Sequence, residues 1–486
     1  AFHCDEVFMN LGQTSLGISS VIKSFQFTID SVKSLFKVIA PTPFEVSKDG
    51  VNFSTQLTYD STVNGILQQV YIRILPQQAD KVYHKEIEFM QNNLLLPNKI
   101  KLLGTSLPDP STVRLATWNM HWFGDPSNCN CDTALAKSNA LQVMKTMDAD
   151  IYCLQEVVSS TQIKDLAINL GPQFGYAVST FGSFAQDTLD ADYASTQKLA
   201  YIYNKNKVQN VGSFGLLAST YPNSSSSGSP YNCFSSGRFP FVLKLKLNLP
   251  NAQTDTLILA NIHGKASSTL ADYTRRECGA VFMTDSLNAL FPNRKMAVIG
   301  DYNDFIEGSS VSGQTLSPYA YMFTNGFSGL TLPSWFAGQT SYVFSENYLI
   351  DNICVSNALK ANYPDSSTFI FHDVQDIIDE YAYTTSDHLP VMTYFKLSYP
   401  LISQNQYPTT TRYEIINPTN GFLQVNNLHQ EDVDVIIYDV QGKKVFQHKY
   451  KSMLTIEENL STLKTGLYII QFKDQYGEQS MKWLVQ

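Results

Sequence analysis

The chain has 486 residues, 43% of them apolar and 16% charged, with a net charge of −9. That length suits two or three domains, and the composition is that of a folded chain rather than a disordered one. No run of about 18 apolar residues occurs, which excludes a membrane-spanning helix of the usual kind, and no basic patch of the nucleic-acid-binding type stands out. The chain begins at Ala1 with no Met and no basic-then-apolar leader, so it reads as a mature exported product or a trimmed one.

Residues 1–108 alternate short apolar and polar runs, among them Phe25–Ile29, Phe53–Leu57 and Val70–Leu75. Asp49-Gly50 and Asn64-Gly65 supply turns between them, so a small all-β sandwich is expected. The phrases Pro43–Phe53 and Val70-Tyr-Ile-Arg73 resemble an Ig-like repeat of exported proteins. No cluster of His, Asp or Glu marks a site there, which leaves a spacer or a carbohydrate-contact module. Leu107-Pro108-Asp109-Pro110 reads as a stiff linker.

Residues 111–398 carry a different rhythm. Val113–Trp118 is a predicted strand, and residues 133–147 are a predicted helix with Asp132 or Thr133 as cap and Leu135, Leu141, Met144 and Met147 towards a core. Further strands are expected at Ile151–Gln155, Leu199–Tyr203, Phe241–Leu245, Leu257–Asn261, Met296–Gly300 and Leu349–Cys354, with a helix around 270–290. Many apolar strands and few helices predict a layered α/β sandwich. Residues 111–397 hold 17 basic and 24 acidic side chains, a net of −7, which suits either cation-holding carboxylates or ordinary solubilising charge. Of the seven cysteines, Cys153, Cys278 and Cys354 lie in apolar or helical runs and read as buried free thiols. Cys129, Cys131 and Cys233 lie in polar loops, and one of the first two is expected to pair with Cys233.

Residues 399–486 return to short strands, and a second all-β sandwich is expected. The succession Asn417–Gly421, Ile437-Tyr-Asp-Val-Gln-Gly442-Lys and Leu463–Ile470 resembles the C-terminal sorting domain of type IX secretion substrates. That resemblance implies a secreted or cell-surface protein with the type IX secretion machinery as a partner.

Phosphodiester cleavage needs a hard cation at the phosphoryl oxygens, a base for water, donors around phosphorus and help for the leaving oxygen. Five short pieces with suitable chemistry occur at predicted strand ends: Thr117-Trp-Asn119-Met-His121, Leu154-Gln-Glu156, Asn261-Ile-His263-Gly-Lys, Ile299-Gly-Asp301-Tyr-Asn303-Asp304 and Thr385-Ser-Asp387-His388-Leu-Pro. With Leu349-Ile-Asp351-Asn-Ile between the last two, the ordered set resembles the endonuclease/exonuclease/phosphatase superfamily. The resemblance implies a four-layer α/β sandwich flanked by the two small β-domains, and a secreted, divalent-metal-dependent phosphoric-ester hydrolase.

Roles follow position by position from that resemblance. Glu156 and Asp387 become metal carboxylates, and His121, where some relatives have an Asp, becomes a metal ligand or a phosphate contact. Mg2+ is the expected ion, with Mn2+, Ca2+ or Zn2+ as alternatives, a His favouring the softer ones. His388 takes the place of the general base, oriented by Asp351, and Asp301 with Asn303 aligns the attacking water. His263 stabilises or protonates the leaving group, while Asn119, Asn261 and Arg238 contact substrate, a structural ion pair being equally open for Arg238.

The expected substrate is nucleic acid, with lipid (sphingomyelinase-like) or small organophosphate esters as the alternative. Lys198, Lys205, Lys207, Lys265, Arg275 and Arg276 are candidates to line a groove for it. The aromatic insertion Ser179–Gln197 also carries Asp187, Asp190 and Asp192, which argues against stable membrane insertion. A decayed, non-catalytic binding domain would have lost principal residues, and none is missing.

Overall fold

The computed structural model describes residues 1–107, 111–129, 131–221, 226–248, 254–332 and 336–397, and beyond these 413–415, 419, 421–427, 432–440, 442–475 and 477–485. The chain divides into two compact units, Ala1–Ser398 and Tyr399–Gln486. The second unit has one sheet of three strands and one of four, closed over Leu423, Val435, Ile437, Phe472 and Trp483.

The first unit opens with two sheets. One orders the strands Phe2–Cys4, Lys23–Ile29, Gln68–Ile74 and Phe44–Ser47, and the other Phe8–Gln13, Leu94–Thr105, Val82–Gln91, Phe36–Ile39 and Gln56–Tyr59. Period-two alternation builds their shared core: Phe25, Phe27 and Ile29 are buried on one strand, Val70, Ile72 and Ile74 on its neighbour. The strand expected at Phe53–Leu57 instead runs from Gln56 to Tyr59. Most of the expected linker, residues 108–110, lies outside the described residues.

Those first two sheets are fastened to residues 111–397. Leu103 and Phe8 belong to the hydrophobic core of that segment, with Phe8 edge-on to Phe371 at 5.2 Å. His84 Nε2 lies 2.7 Å from Asp373 Oδ2, and Lys396 Nζ donates to Asp80 Oδ2 at 2.7 Å.

Residues 111–397 form two six-stranded sheets around that one core. The first runs Phe174–Val178, Lys198–Asn204, Ile151–Val157, Thr112–Phe123, Val391–Lys396, Phe369–Ile370. The second runs Val208–Gly215, Phe241–Asn248, Thr254–His263, Lys295–Asp301, Asp351–Ser356, Phe327–Gly329. Each has one parallel pair in its middle, joined through a helix: Thr133–Met147 in the first sheet and Leu270–Leu290 in the second. The rest of each sheet pairs antiparallel. The Tyr201 hydroxyl, fully buried, ties one sheet to the other by donating to the carbonyls of Phe241 at 2.6 Å and Leu259 at 3.1 Å.

The helix Thr133–Met147 is capped by Asp132, whose carboxylate accepts from the amides of Ala134 and Leu135. Its buried stripe is Ala136, Ala140, Val143, Met144 and Met147, while Leu135 is exposed. Two alanines let the helix lie close to the sheet, so the small residues face inward in place of the expected Leu135.

The expected cysteine pairing is corrected. Cys129 bonds Cys131, and Cys233 bonds Cys278, on the helix Leu270–Leu290, across 45 residues of sequence. Only Cys153 and Cys354 of the three expected free thiols are free and buried. Closing a loop of that length restrains the unfolded chain by up to about 4 kcal/mol. Non-reducing peptide mapping should therefore recover a Cys233–Cys278 peptide pair, and Cys233→Ser should lower the Tm; a Cys233 peptide joined to Cys129 or Cys131 would contradict this arrangement.

Candidate active site

The two central parallel pairs end at the same edge of the sandwich, and their last residues deliver the side chains. Asn119 is fully buried near the end of Thr112–Phe123, and its Nδ2 donates to Glu156 Oε1 at 3.2 Å and Asp301 Oδ2 at 3.0 Å. Beyond Asn119 the ladder slips, and His121 and Trp122 both take φ of 49°. Glu156 has φ 57° and Asn303 φ 51°. Four non-glycine residues in the left-handed region at one edge cost on the order of 1–3 kcal/mol each, a concentration typical of functional sites. The reversal at His121 aims its imidazole back over the site, and the Trp122 amide donates to Glu156 Oε2 at 3.0 Å.

Gly300 has no alternative. Its φ is 149°, and a Cβ there would sit 2.0 Å from the Ile262 carbonyl oxygen. That close approach sets Asp301 beside His263, whose Nε2 lies 3.5 Å from both Asp301 Oδ2 and Glu156 Oε1. Asp301 Oδ1 accepts from the Asn303 amide at 2.8 Å, and Asn303 Nδ2 donates to Asp301 Oδ2 at 3.1 Å. Asp304 steadies the turn from behind: it accepts from the Ser310 amide and Ser309 hydroxyl and pairs at 2.6 Å with Arg276, both side chains being fully buried.

The third side of the site is a buried dyad. His388 Nδ1 lies 2.7 Å from Asp351 Oδ2, which also accepts from the Ser341 hydroxyl at 2.7 Å. The other His388 nitrogen, Nε2, stands 4.0 Å from Asp301 Oδ2 and 3.9 Å from Asp387 Oδ1. Asp387 Oδ1 in turn lies 2.9 Å from His121 Nδ1. The Ser386 hydroxyl donates to the Asn119 carbonyl at 2.7 Å, locking this loop to the first sheet.

The electrostatics follow from that crowding. Burial works against a charged His388, but Asp351, Asp301 and Asp387 outweigh it and push its pKa up to about 10. Burial, reinforced by Asp351, raises the Asp301 carboxyl to about 7. Burial also raises Asp387, yet the hydrogen bond and charge of His121, with His388, bring it below the usual carboxylate range. His263 is driven well below the ordinary imidazole value, first by burial and then by Arg238.

These shifts describe a site short of positive charge, which is the condition a bound cation relieves. Asp301, Asp351 and His388 present ligand atoms that all lie within 4.8 Å of one another. That group differs from the expected ligand set of Glu156, Asp387 and His121. The expected three stand around the same space, with Glu156 held by Asn119 and Trp122 and Asp387 held by His121. Hard carboxylate oxygens with one or two imidazoles fit a divalent ion such as Mg2+ or Mn2+.

Two expectations fail. Asn261 is fully buried between the sheets: its Oδ1 accepts from Gln155 Nε2 at 2.7 Å, and its Nδ2 donates to the Leu154 and Ala200 carbonyls. Its amide is spent on holding the sheets together and is not available to a substrate. The basic groove also fails at five of its six residues. Lys198 is buried and donates to the Tyr193 and Thr196 carbonyls, Arg276 pairs with Asp304, and Lys265 pairs with Asp272. Arg275 donates to Asn232 and Ser236, and Lys207 to the Thr112 carbonyl. Arg238 comes closer to its expected place, beside His263 at the site's margin, with Nη2 donating to the Gly264 carbonyl at 3.0 Å.

An aromatic row that sequence reading did not single out leads away from His388. Tyr342 lies 5.2 Å from the His388 ring, Phe344 5.8 Å from Tyr342, and Tyr383 5.7 Å from Phe344. Phe344 and Tyr383 are 51% and 70% exposed, so the row ends on open surface. The insertion Ser179–Gln197 offers less: Phe181 is buried in the core and Phe184 alone of its phenylalanines is exposed.

Residues 417–486 match the family model of the secretion system C-terminal sorting domain, an address for export. No curated protein matches the chain. Among similar solved structures is an endonuclease/exonuclease/phosphatase from Bacteroides vulgatus, 19% identical, covering 59% of this chain and 99% of its own, with a TM-score of 0.43. A Bacteroides thetaiotaomicron mannosyl-6-phosphatase is 19% identical over 58% of this chain and 98% of its own, with a TM-score of 0.39. The human Nocturnin catalytic domain is 13% identical over 59% of this chain and 94% of its own, also at 0.39.

Proposed function

We propose that residues 111–398 are an α/β catalytic domain, a four-layer sandwich in which the helices cover the two sheets, and that it hydrolyses phosphoric esters with a divalent cation. Residues 1–108 and 399–486 would flank it as β-sandwiches, the last carrying the protein through the type IX secretion route to the medium or the cell surface. The single observation that carries the hydrolytic reading is the convergence of the His388–Asp351 dyad, Asp301 and Glu156 on one space between two sheet edges.

Within it, His388 accepts the proton of the attacking water through Nε2, held in orientation by the Asp351 carboxylate behind it. Asp301 and Asn303 align that water, His263 directs an N–H at the phosphoryl oxygens or the leaving group, and Asn119, whose amide protons go to Glu156 and Asp301, holds those two carboxylates in place. Arg238 supplies positive charge at the margin. Glu156, Asp387 and His121 are the residues proposed to hold the cation, which when bound polarises the phosphoryl group and offsets its charge. Mg2+ suits the oxygen ligands best, and Mn2+, Ca2+ or Zn2+ would suit the same set less closely.

Nucleic acid is the substrate class this reading favours, because the row Tyr342, Phe344, Tyr383 offers flat faces on which bases stack beside the dyad. A small or lipid phosphoester is the second reading, favoured by the internal use of Lys198, Lys207, Lys265, Arg275 and Arg276. The test is parallel hydrolysis of DNA, RNA, sphingomyelin and small phosphate esters by the full chain with Mg2+. Cleavage of nucleic acid is expected, single strands before duplex. With five of the six candidate groove cations engaged within the protein, the rate should fall by only about ten-fold or less between roughly 50 and 200 mM salt, the slope of one or two phosphate contacts. Intact DNA and RNA beside a cleaved small ester or sphingomyelin would remove the nuclease reading and leave the hydrolase.

A further inference from the structure

The backbone of His388 is held by three hydrogen bonds. Its carbonyl accepts from the Tyr381 hydroxyl at 2.6 Å and the Trp118 indole N–H at 3.2 Å, and its amide donates to Ser386 Oγ at 3.0 Å. None of these sets the rotation of the imidazole. Nε2 stands beyond hydrogen-bond distance of Asp301 and Asp387, so the hydrogen bond that turns the ring is the one between Nδ1 and the Asp351 carboxylate, at 2.7 Å.

Asp351 is itself short of restraints. It is fully buried, and its Oδ1 has no hydrogen-bond partner among the described residues. Its Oδ2 meets two groups, His388 Nδ1 and the Ser341 hydroxyl, each at 2.7 Å. A carboxylate turns about its last bond in a broad well. Which oxygen faces His388, and at what tilt, is therefore left to Ser341.

The direction of that hydroxyl is fixed by count. Ser341 Oγ accepts from the backbone amides of Ile350 at 3.1 Å and Asp351 at 3.0 Å. An amide N–H only donates, so both lone pairs of the hydroxyl are taken and its one proton goes to the carboxylate. The serine is anchored in turn: its carbonyl accepts from the Leu389 amide at 2.7 Å, and its amide donates to the Tyr348 carbonyl at 3.2 Å. Next along the chain, Tyr342 bridges to His388 through the backbone, and the Val343 amide donates to the Asp387 carbonyl at 2.9 Å. The loop that presents Tyr342 and Phe344 is thus laddered onto residues 387–389, with Ser341 where both meet the strand Asp351–Ser356.

We propose that Ser341 is a positioning residue for the hydrolysis: its hydroxyl holds Asp351 Oδ2 against His388 Nδ1 and so keeps Nε2 aimed at the attacking water. The role rests on the hydrolytic reading above. Being fully buried, Ser341 works through Asp351 and not by touching the substrate.

Full-length Ser341→Ala is compared with the wild type on bis(p-nitrophenyl) phosphate with Mg2+. kcat should fall by about ten- to a hundred-fold, the cost of a small misplacement, with KM unchanged. In an Asp351→Ala background the same substitution should lower kcat further by less than about two-fold, since a residue acting through another adds little once that other is gone. A signature free of turnover is the proton resonance of His388 Nδ1–H, far downfield for an imidazole bonded to a carboxylate and identified by its loss in His388→Ala. Ser341→Ala should broaden it or move it upfield. Should that variant unfold because two amides lose their acceptor, Ser341→Cys keeps the shape with a far weaker donor and takes its place. A raised KM with unaltered kcat, an undiminished further loss in the Asp351→Ala background, or a resonance left in place or moved further downfield would each overturn the proposal. A wild type that cleaves neither this diester nor any ester of the parallel assay ends the hydrolytic reading instead, and the resonance then decides whether Ser341 holds the dyad.

Discussion

Glu156→Gln is expected to abolish turnover while leaving the protein folded. The side chain is 14% exposed and its two oxygens accept from the Asn119 amide and the Trp122 backbone N–H. Glutamine keeps the volume and one acceptor but loses the charge that a divalent ion needs. Loss of a Lewis acid is worth several kcal/mol at the transition state, roughly three orders of magnitude in rate. The measurement is kcat on whichever ester the wild type cleaves, with the Tm and circular dichroism as controls, and metal content determined on the same samples. Wild-type protein stripped with EDTA should fall to the same level and recover when Mg2+ or Mn2+ is restored. Full activity of the variant, or of the stripped wild type, would end the metal-dependent reading.

His388→Ala should lower kcat by about a hundred-fold or more, the size expected for a lost general base. An unchanged kcat with a higher KM would reduce His388 to a binding residue. Asp351→Asn separates chemistry from architecture. Burial disfavours the imidazolium, and the Asp351 carboxylate is the foremost group holding it against that. Removing the charge lets the ring give up its proton at lower pH, so the acid limb of the kcat profile should move down as kcat itself falls. A merely structural Asp351 would leave the limb where it is.

Much of this site was legible in the sequence, and the failures have definite causes. Asn119, Glu156, Asp301, Asp351 and His388 end or adjoin strands, where the chain leaves the sheet and its side chains meet open space; short motifs at strand ends therefore identified them. Asn261 belongs to the same kind of motif but stands two residues before the strand's end, which is deep enough to face Gln155 across the sandwich. Strand alternation gives the face of a residue and not its depth. Arg276, 28 residues before Asp304, carries no local sign that it is a buried partner rather than a groove cation. Ser341 and Ser386 support Asp351 and the Asn119 carbonyl as isolated serines, which no spacing rule picks out. Cys278 was misjudged because a helical position predicts burial but says nothing about which neighbour the fold brings against it.

The seam between the opening sheets and the two six-stranded sheets bears on how such a protein changes over generations. Phe371 is fully buried and Asp373 is 2% exposed, and the groups that meet them, Phe8 and His84, belong to the opening sheets. Grafting a different front module onto residues 111–398 would leave an apolar ring and a carboxylate facing a stranger's surface. The two parts are thus constrained to drift in concert, and exchange of the front module demands a rebuilt joint as well as a new cassette.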